Sequence, residues 1–72
     1  MDIKLEFGQR VRELRTSKGM TQQELSDKCG YTDRSAIGHI ERGDIDVPLS
    51  VIKTLAKALE VSPEYLAFGT KK

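Results

Sequence analysis

The first apolar pattern along the chain has the period of an amphipathic α-helix. Its members are separated by four, four and three residues, so they share one face of a helix. They are Ile3, Phe7, Val11 and Leu14. Asp2 is placed to cap the start, and Lys18 followed by Gly19 marks the end. Gly8 inside the pattern weakens it by up to about 1 kcal/mol relative to alanine.

The next stretch, TQQELSDKCG, carries the signals of a second helix. Thr21 as N-cap and Glu24 three residues later form a capping box, in which each side chain accepts from a backbone N–H of the other residue. Leu25 and Cys29 lie four apart and predict an inward stripe, which makes Cys29 a small core residue rather than a redox centre. Gly30 suits the left-handed conformation that ends a helix. The side chains predicted to face outward are Gln22, Gln23, Ser26 and Lys28.

A third helix is predicted over about residues 33–42, after a short turn. Either Thr32 or Asp33 is placed to cap it, and Gly43 to end it. Its apolar positions cover one narrow face and are Ala36, Ile37 and Ile40. The remaining positions are polar, and Gly38 among them either exposes bare helix backbone or packs against a neighbouring helix.

Two further helices follow a loop. Pro48 suits the first turn of the fourth helix, where its missing N–H is not needed. The apolar stripe of this helix is Val51, Ile52, Leu55, Ala56 and Leu59. Glu60 occupies an exit position that favours glycine. Ser62 as cap and Pro63 at the first position then predict a fifth helix.

Length and composition limit the possible functions. The chain of 72 residues makes one domain, which we assign to residues 1–69 with a frayed tail at 70–72. A single cysteine excludes an internal disulfide, and no spacing of zinc ligands is present. With one histidine and no phosphate-binding glycine loop, an enzyme, a metal, a cofactor or a small-molecule ligand is not expected. The absence of a membrane-length apolar run predicts a cytoplasmic protein.

The order of these motifs resembles the XRE family, the lambda-repressor-like and Cro-like DNA-binding proteins. TQQELSDKCG followed by RSAIGHIERG is similar to the family's helix-turn-helix, and VRELRTSKGM and LAKALEVSPEYL are similar to its first, fourth and fifth helices. The resemblance implies an all-α, five-helix bundle whose second and third helices form the helix-turn-helix. It also implies a sequence-specific regulator of transcription, most like a repressor or a controller of a restriction or toxin operon.

The resemblance assigns DNA contacts to particular residues. Base contacts fall on Arg34, Ser35 and His39, and phosphate contacts on Thr21, Gln22 and Arg42. Arg34 is the strongest candidate because its guanidinium can donate two hydrogen bonds to guanine; the less favoured alternative is a solvated charge or a partner of Asp33. His39 suits a base or a phosphate. The net charge of +1 lends no support to DNA binding, and Asp44 and Asp46 would repel phosphate.

Two further assignments concern structure and assembly. The resemblance pairs Arg15 with Glu41 as an internal ion pair between the first and third helices. The apolar residues of the last helix are predicted to form a homodimer interface, or alternatively to complete the core. They are Tyr65, Leu66 and Phe68, with Val47 and Pro48 as possible additions.

A symmetric dimer would read a palindromic operator in double-stranded DNA. The alternative from another functional class is a protein-interaction module that uses the same fold.

Overall fold

The computed structural model describes residues 2–31 and 33–69, and this part of the chain contains five α-helices and no strand. The helices are α1 (Ile3–Ser17), α2 (Gln22–Cys29), α3 (Ser35–Arg42), α4 (Leu49–Leu59) and α5 (Pro63–Phe68). The predicted all-α class is therefore confirmed. The tail assigned to residues 70–72 lies outside the described residues.

Helix α1 begins where the sequence predicts. The Asp2 carboxylate accepts hydrogen bonds from the backbone N–H groups of Lys4 and Leu5. Three of the four predicted inward positions, those after Ile3, are buried. Ile3 is the exception, with 77% of its surface exposed, because it lies in the first turn at the rim of a surface groove.

The core is built from all five helices. Its members are Phe7, Val11, Leu14, Leu25, Ile37, Ile40, Leu55, Ala56, Leu59 and Leu66. Leu66 is fully buried, so the prediction that its side chain serves a dimer interface is wrong. The helix is so short that Leu66 is the residue that anchors it to the bundle. Cys29 packs on the edge of this core, and burial raises the pKa of its thiol, which fits a packing role.

Helices α1 and α3 cross at Gly8. A Cβ at this position would collide with the carbonyl oxygen of Ile40 and would lie 2.7 Å from that of Glu41. The two helix backbones therefore approach each other more closely than any residue other than glycine permits. The glycine that weakens the α1 pattern in the sequence is required by tertiary packing.

Helices α4 and α5 close the other side of the bundle. Pro48 precedes the first turn of α4 rather than lying within it, and its carbonyl accepts from Val51 and Ile52. Glu60 adopts the left-handed conformation (φ 61°) at the exit of α4, as its position in the sequence implied. Ser62 caps α5 by accepting from the backbone N–H of Tyr65 at 3.0 Å.

The guanidinium of Arg10 satisfies the carbonyl groups at the end of α5. Its Nε donates to Leu66 O at 2.8 Å and its Nη2 donates to Ala67 O at 3.0 Å. These bonds tie α5 to α1 across the bundle. Nothing in the local sequence around Arg10 signals this role, because its partners lie more than fifty positions away along the chain.

Candidate nucleic-acid interface

The start of α2 offers backbone donors for an anion. Thr21 Oγ1 accepts from the N–H of Glu24 at 3.0 Å, and Glu24 Oε1 accepts from the N–H of Thr21 at 2.8 Å, which completes the predicted capping box. Within the described residues, the amides of Gln22 and Gln23 are left without acceptors. Two free N–H groups at the positive end of a helix dipole favour a phosphate oxygen.

The connection from α2 to α3 is fixed by hydrogen bonds within the turn. Gly30 is left-handed (φ 81°), and Tyr31 N–H donates to Ser26 O at 2.9 Å. Ser26 is fully buried, contrary to the prediction that it faces outward, because its hydroxyl donates to Asp33 O across the turn.

Asp33 is the residue that caps α3. Its carboxylate accepts from the N–H of Ser35 at 2.9 Å, and that bond holds the pKa of Asp33 below its ordinary value. Thr32, the other candidate cap, lies outside the described residues. Arg34 lies between Asp33 and Ser35 and already has helical backbone angles, so it belongs to the first helical turn. The carboxylate is thus directed at the helix end rather than at Arg34.

The solvent face of α3 carries the residues assigned to DNA. Arg34, Ser35, His39 and Arg42 are all exposed, whereas Ile37 and Ile40 point into the core. The Arg34 guanidinium forms no hydrogen bond or ion pair within residues 2–31 and 33–69. Its fork is therefore available to a ligand, and the Asp33 side chain does not occupy it.

Gly38 is the residue of α3 that faces the start of α2. A Cβ there would be 3.3 Å from Arg42 Nη1 and 3.9 Å from the Gln22 side-chain amide. Gly38 is buried, so of the two alternatives the structure shows packing against a neighbouring helix: its missing side chain leaves room for Gln22 of α2 and for Arg42.

The Gln22 side chain is held by a buried carboxylate. Its Nε2 donates to Glu41 Oε1 at 3.1 Å. Glu41 also receives Arg15, whose Nε donates to Oε2 at 2.6 Å and whose Nη2 donates to Oε1 at 3.1 Å. The side chains of Arg15 and Glu41 are only 11% and 5% exposed. The structure thus brings together Arg15 and Glu41 as one bidentate pair, and this pair joins α1, α2 and α3.

The last turn of α3 holds a cluster that the sequence did not predict. Arg42 Nε donates to Asp44 Oδ2 at 3.0 Å, and His39 Nδ1 lies 3.4 Å from the same oxygen. These contacts lower the pKa of Asp44, the Arg42 hydrogen bond being the larger cause and the His39 contact the second. The negative charge that argued against DNA binding is therefore paired with two residues of the same face.

The known proteins most relevant to this geometry are helix-turn-helix regulators. The HTH_3 family model, described as Helix-turn-helix, matches residues 11–66. The chain belongs to this family. The matched segment includes both helices of the candidate interface, so the XRE-family resemblance is confirmed and the protein is a DNA-binding regulator of transcription.

Two of the relatives are control proteins. The chain is 44% identical over 66 residues to Control protein C.BamHI from Bacillus amyloliquefaciens, covering 90% of this chain and 80% of that protein. It is 39% identical over 62 residues to Control protein C.SmaI from Serratia marcescens, covering 86% and 73%.

A solved structure gives the same result at the level of the fold. The restriction-modification controller protein C.AhdI from Aeromonas hydrophila aligns with a TM-score of 0.81 and 48% identity, covering 86% of this chain and 92% of that one. The family and these relatives are regulators of transcription rather than enzymes.

The sequence contains a signal for the contact between Asp44 and the last turn of α3. Gly43 ends α3 in the left-handed conformation (φ 74°), and the N–H of Asp44 then donates to His39 O at 3.1 Å. This return of the chain is a general property of helices that end at glycine, and it places the next side chain beside the last turn. A Gly-Asp pair after Arg42 therefore indicates the contact between Asp44 and Arg42.

Other kinds of site find no support in the described residues. No group of histidine, cysteine and carboxylate side chains is arranged to hold a metal ion in residues 2–31 and 33–69. None of the helices in the described part of the chain combines the length and the apolar character needed to cross a membrane.

Proposed function

We propose that this protein controls a restriction-modification operon and that two copies bind a palindromic operator, with α3 of each copy in the major groove. The observation that carries this proposal is the row of exposed polar side chains on α3, formed by Arg34, Ser35 and His39. The similarity to two control proteins and to a restriction-modification controller protein of known structure supports the operon type. We also propose that the protein represses transcription. Its location would be the cytoplasm, because the operator DNA of a bacterial cell lies there.

Base and phosphate contacts would be divided between the two helices. In this proposal the free Arg34 fork donates to guanine O6 and N7, and Ser35 and His39 read neighbouring positions. The amides of Gln22 and Gln23 would clamp one phosphate at the end of α2. Thr21 Oγ1 accepts the cap bond and still has its O–H to donate to the same phosphate.

Replacing Arg34 tests the base-reading assignment. Selection from a randomised duplex pool with the wild-type protein first defines the motif. Arg34→Ala should then lose the preference at one position of each half-site, with about 1 to 3 kcal/mol less discrimination per contact. Arg34→Lys is the matched control, because it keeps the charge but not the bidentate fork, and should lose the preference while retaining affinity for random DNA.

Gln22→Ala provides the contrasting variant, since it removes the side chain that the family resemblance assigns to a phosphate contact and should weaken binding to all sequences alike. An unchanged motif and affinity in both Arg34→Ala and Gln22→Ala would contradict the assignment of the recognition face.

The dimer proposal rests on an apolar surface made by α1, α4 and α5. We call it the apolar face; it consists of Ile3, Val47, Leu49, Ile52, Ala67 and Phe68. Leu49 and Phe68 are 83% and 78% exposed, which is unusual for residues of this size. Tyr65 is half-buried and does not line this groove, so of the predicted interface residues Phe68 is the one that supports it.

The occupant that best fits the apolar face is a second copy of the chain. Lys53 and Glu64 lie on one border of the face, and Lys4 and Asp46 on the other. Each border therefore carries one positive and one negative side chain. In a twofold dimer, the positive side chain of one copy can pair with the negative side chain of the other. No residue of the apolar face belongs to α2 or α3. A dimer formed through this face therefore leaves α3 of each copy free to bind DNA.

Phe68→Glu should convert the dimer to a monomer. The substitution removes the burial of one aromatic ring in each subunit, roughly 1.5 to 3 kcal/mol each, and should weaken dimerisation by about 100-fold or more. Sedimentation equilibrium measures this change, and circular dichroism checks that the exposed position leaves the fold intact. Lys57→Glu places the same carboxylate on α4 outside the apolar face and should remain dimeric. A wild-type protein that is monomeric at high concentration would refute the interface.

A further inference from the structure

The pairing of Asp44 with two residues of the DNA-reading face has a consequence for specificity. Asp44 Oδ2 is within 3.4 Å of both Arg42 Nε and His39 Nδ1. Arg42 Nη2 in turn lies 3.1 Å from His39 Nδ1. The three side chains are about half exposed, at 48% for Asp44, 49% for His39 and 61% for Arg42. One carboxylate thus contacts both a guanidinium and an imidazole, and both of these groups face solvent.

A carboxylate oxygen on Arg42 resembles a phosphate oxygen in charge and in hydrogen bonding. Arg42 cannot offer the same N–H to DNA while it donates to Asp44. The pair is exposed to water and is therefore weak enough for a well-placed phosphate to displace it. A randomly placed phosphate must compete with a partner that is always present, because Asp44 follows Arg42 by only two residues.

The same contacts restrain His39. In the neutral ring, Nδ1 either accepts from Arg42 or, as the protonated nitrogen, donates to Asp44. Both arrangements fix the imidazole beside the last turn of α3 rather than leaving it free to rotate. A base-reading side chain that is already oriented loses less conformational entropy when it binds.

The other charged groups near the cluster do not take over this role. Glu41 on α3 is buried and paired with Arg15. Gln22, which approaches Gly38 from α2, is uncharged. Asp46 in the loop is exposed and makes no hydrogen bond or ion pair with any described residue. Asp44 is therefore the carboxylate that acts on Arg42 and His39.

We propose that Asp44 is a positioning residue that raises the specificity of DNA recognition, by holding His39 in place and by competing with phosphate for Arg42. The inference rests on the proposed recognition face. It predicts a protein with low affinity for random DNA whose selectivity depends on an acidic residue that itself contacts neither base nor phosphate.

The test compares Asp44→Asn with Glu13→Gln, which removes the same charge from an exposed position of α1 whose side chain makes no hydrogen bond or ion pair with any described residue. Two probes are used: a duplex selected from a randomised pool with the wild-type protein, and a scrambled duplex of the same length and composition. Asp44→Asn should bind the scrambled duplex about threefold or more tightly at low salt, and its salt dependence should steepen by about 0.9 per protomer, the value for one additional phosphate contact. The ratio of selected to scrambled affinity should fall.

Asp44→Glu keeps the charge and should restore most of the wild-type salt dependence. Equal effects of Asp44→Asn and Glu13→Gln would show that only net charge matters and would overturn the inference. So would an unchanged salt dependence in Asp44→Asn. These outcomes differ from a failure of the proposed function, in which the wild-type protein would select no motif from the randomised pool at all.

Discussion

Gly8→Ala should destabilise the protein by about 3 kcal/mol or more, although alanine is the better helix former. The added methyl group would meet the carbonyl of Ile40 and lie 2.7 Å from Glu41 O and 2.9 Å from Glu41 C. These are backbone atoms of α3, so no side chain can rotate away to relieve the contact. Helices α1 and α3 would have to separate, and the buried contacts around Val11 and Ile37 would loosen.

Thermal and urea unfolding measure the effect. A loss of 3 kcal/mol is a large part of the roughly 5 to 15 kcal/mol that holds a small domain folded, and it corresponds to a fall in Tm of about 12 to 24 °C. Gln9→Ala, at the next and exposed position of α1, is the control and should change the stability by no more than about 0.5 kcal/mol. An unchanged or raised Tm in Gly8→Ala would contradict the close crossing of α1 and α3.

Glu41→Ala should cost about 3 to 5 kcal/mol in the free energy of unfolding. The carboxylate accepts two hydrogen bonds from Arg15 and one from Gln22, and its loss would leave an 11% exposed guanidinium with Met20 O as its remaining acceptor. Most of this cost is the desolvation of Arg15 without a counter-charge. The Gln22 side chain would also be released from its position at the start of α2.

A double-mutant cycle separates the pair from its surroundings. Arg15→Ala combined with Glu41→Ala should be destabilised by about 1 to 3 kcal/mol less than the sum of the two single variants, because neither charge is then left alone. Lys18→Ala is the comparison, since its 3.4 Å contact with Glu60 lies at the surface and should contribute less than about 1 kcal/mol. Additive losses at Arg15 and Glu41 would show that the two side chains do not act as a pair.

The Arg15–Glu41 pair and the Asp44 cluster are expected to affect DNA binding in different ways. The Arg15–Glu41 pair is largely buried and joins α1 to α3, with Gln22 of α2 bonded to it, so its role is structural. The Asp44 cluster is exposed and contributes little to folding. We therefore expect Glu41 variants to lose affinity together with stability, and Asp44 variants to change DNA selectivity at nearly constant Tm.

Most helix limits of this protein follow from local chemistry. Each capping residue bonds to, or shapes, backbone that lies within a few positions of it along the chain. The capping residues are Asp2, the Thr21 and Glu24 capping box, Ser62, and the glycines after α2 and α3. Such signals are complete in the sequence, because the groups that must be satisfied at a helix end are supplied by its immediate neighbours. The family resemblance added the pairing of α2 with α3 and the assignment of Arg34, Ser35 and His39 as candidate base-reading residues.

Tertiary structure decided the matters that depend on distant residues. Ser26 and Leu66 are buried and Ile3 is exposed because of what the other helices cover, which a periodic pattern within one helix does not report. Gly8 has a purpose only once α3 lies across it. The Arg10 bonds to α5 likewise join segments that meet only in the fold. Hydrogen bonding along a helix is local, whereas burial and charge pairing depend on which surfaces meet, and that is why the sequence determined the helices and the packed chain determined the site.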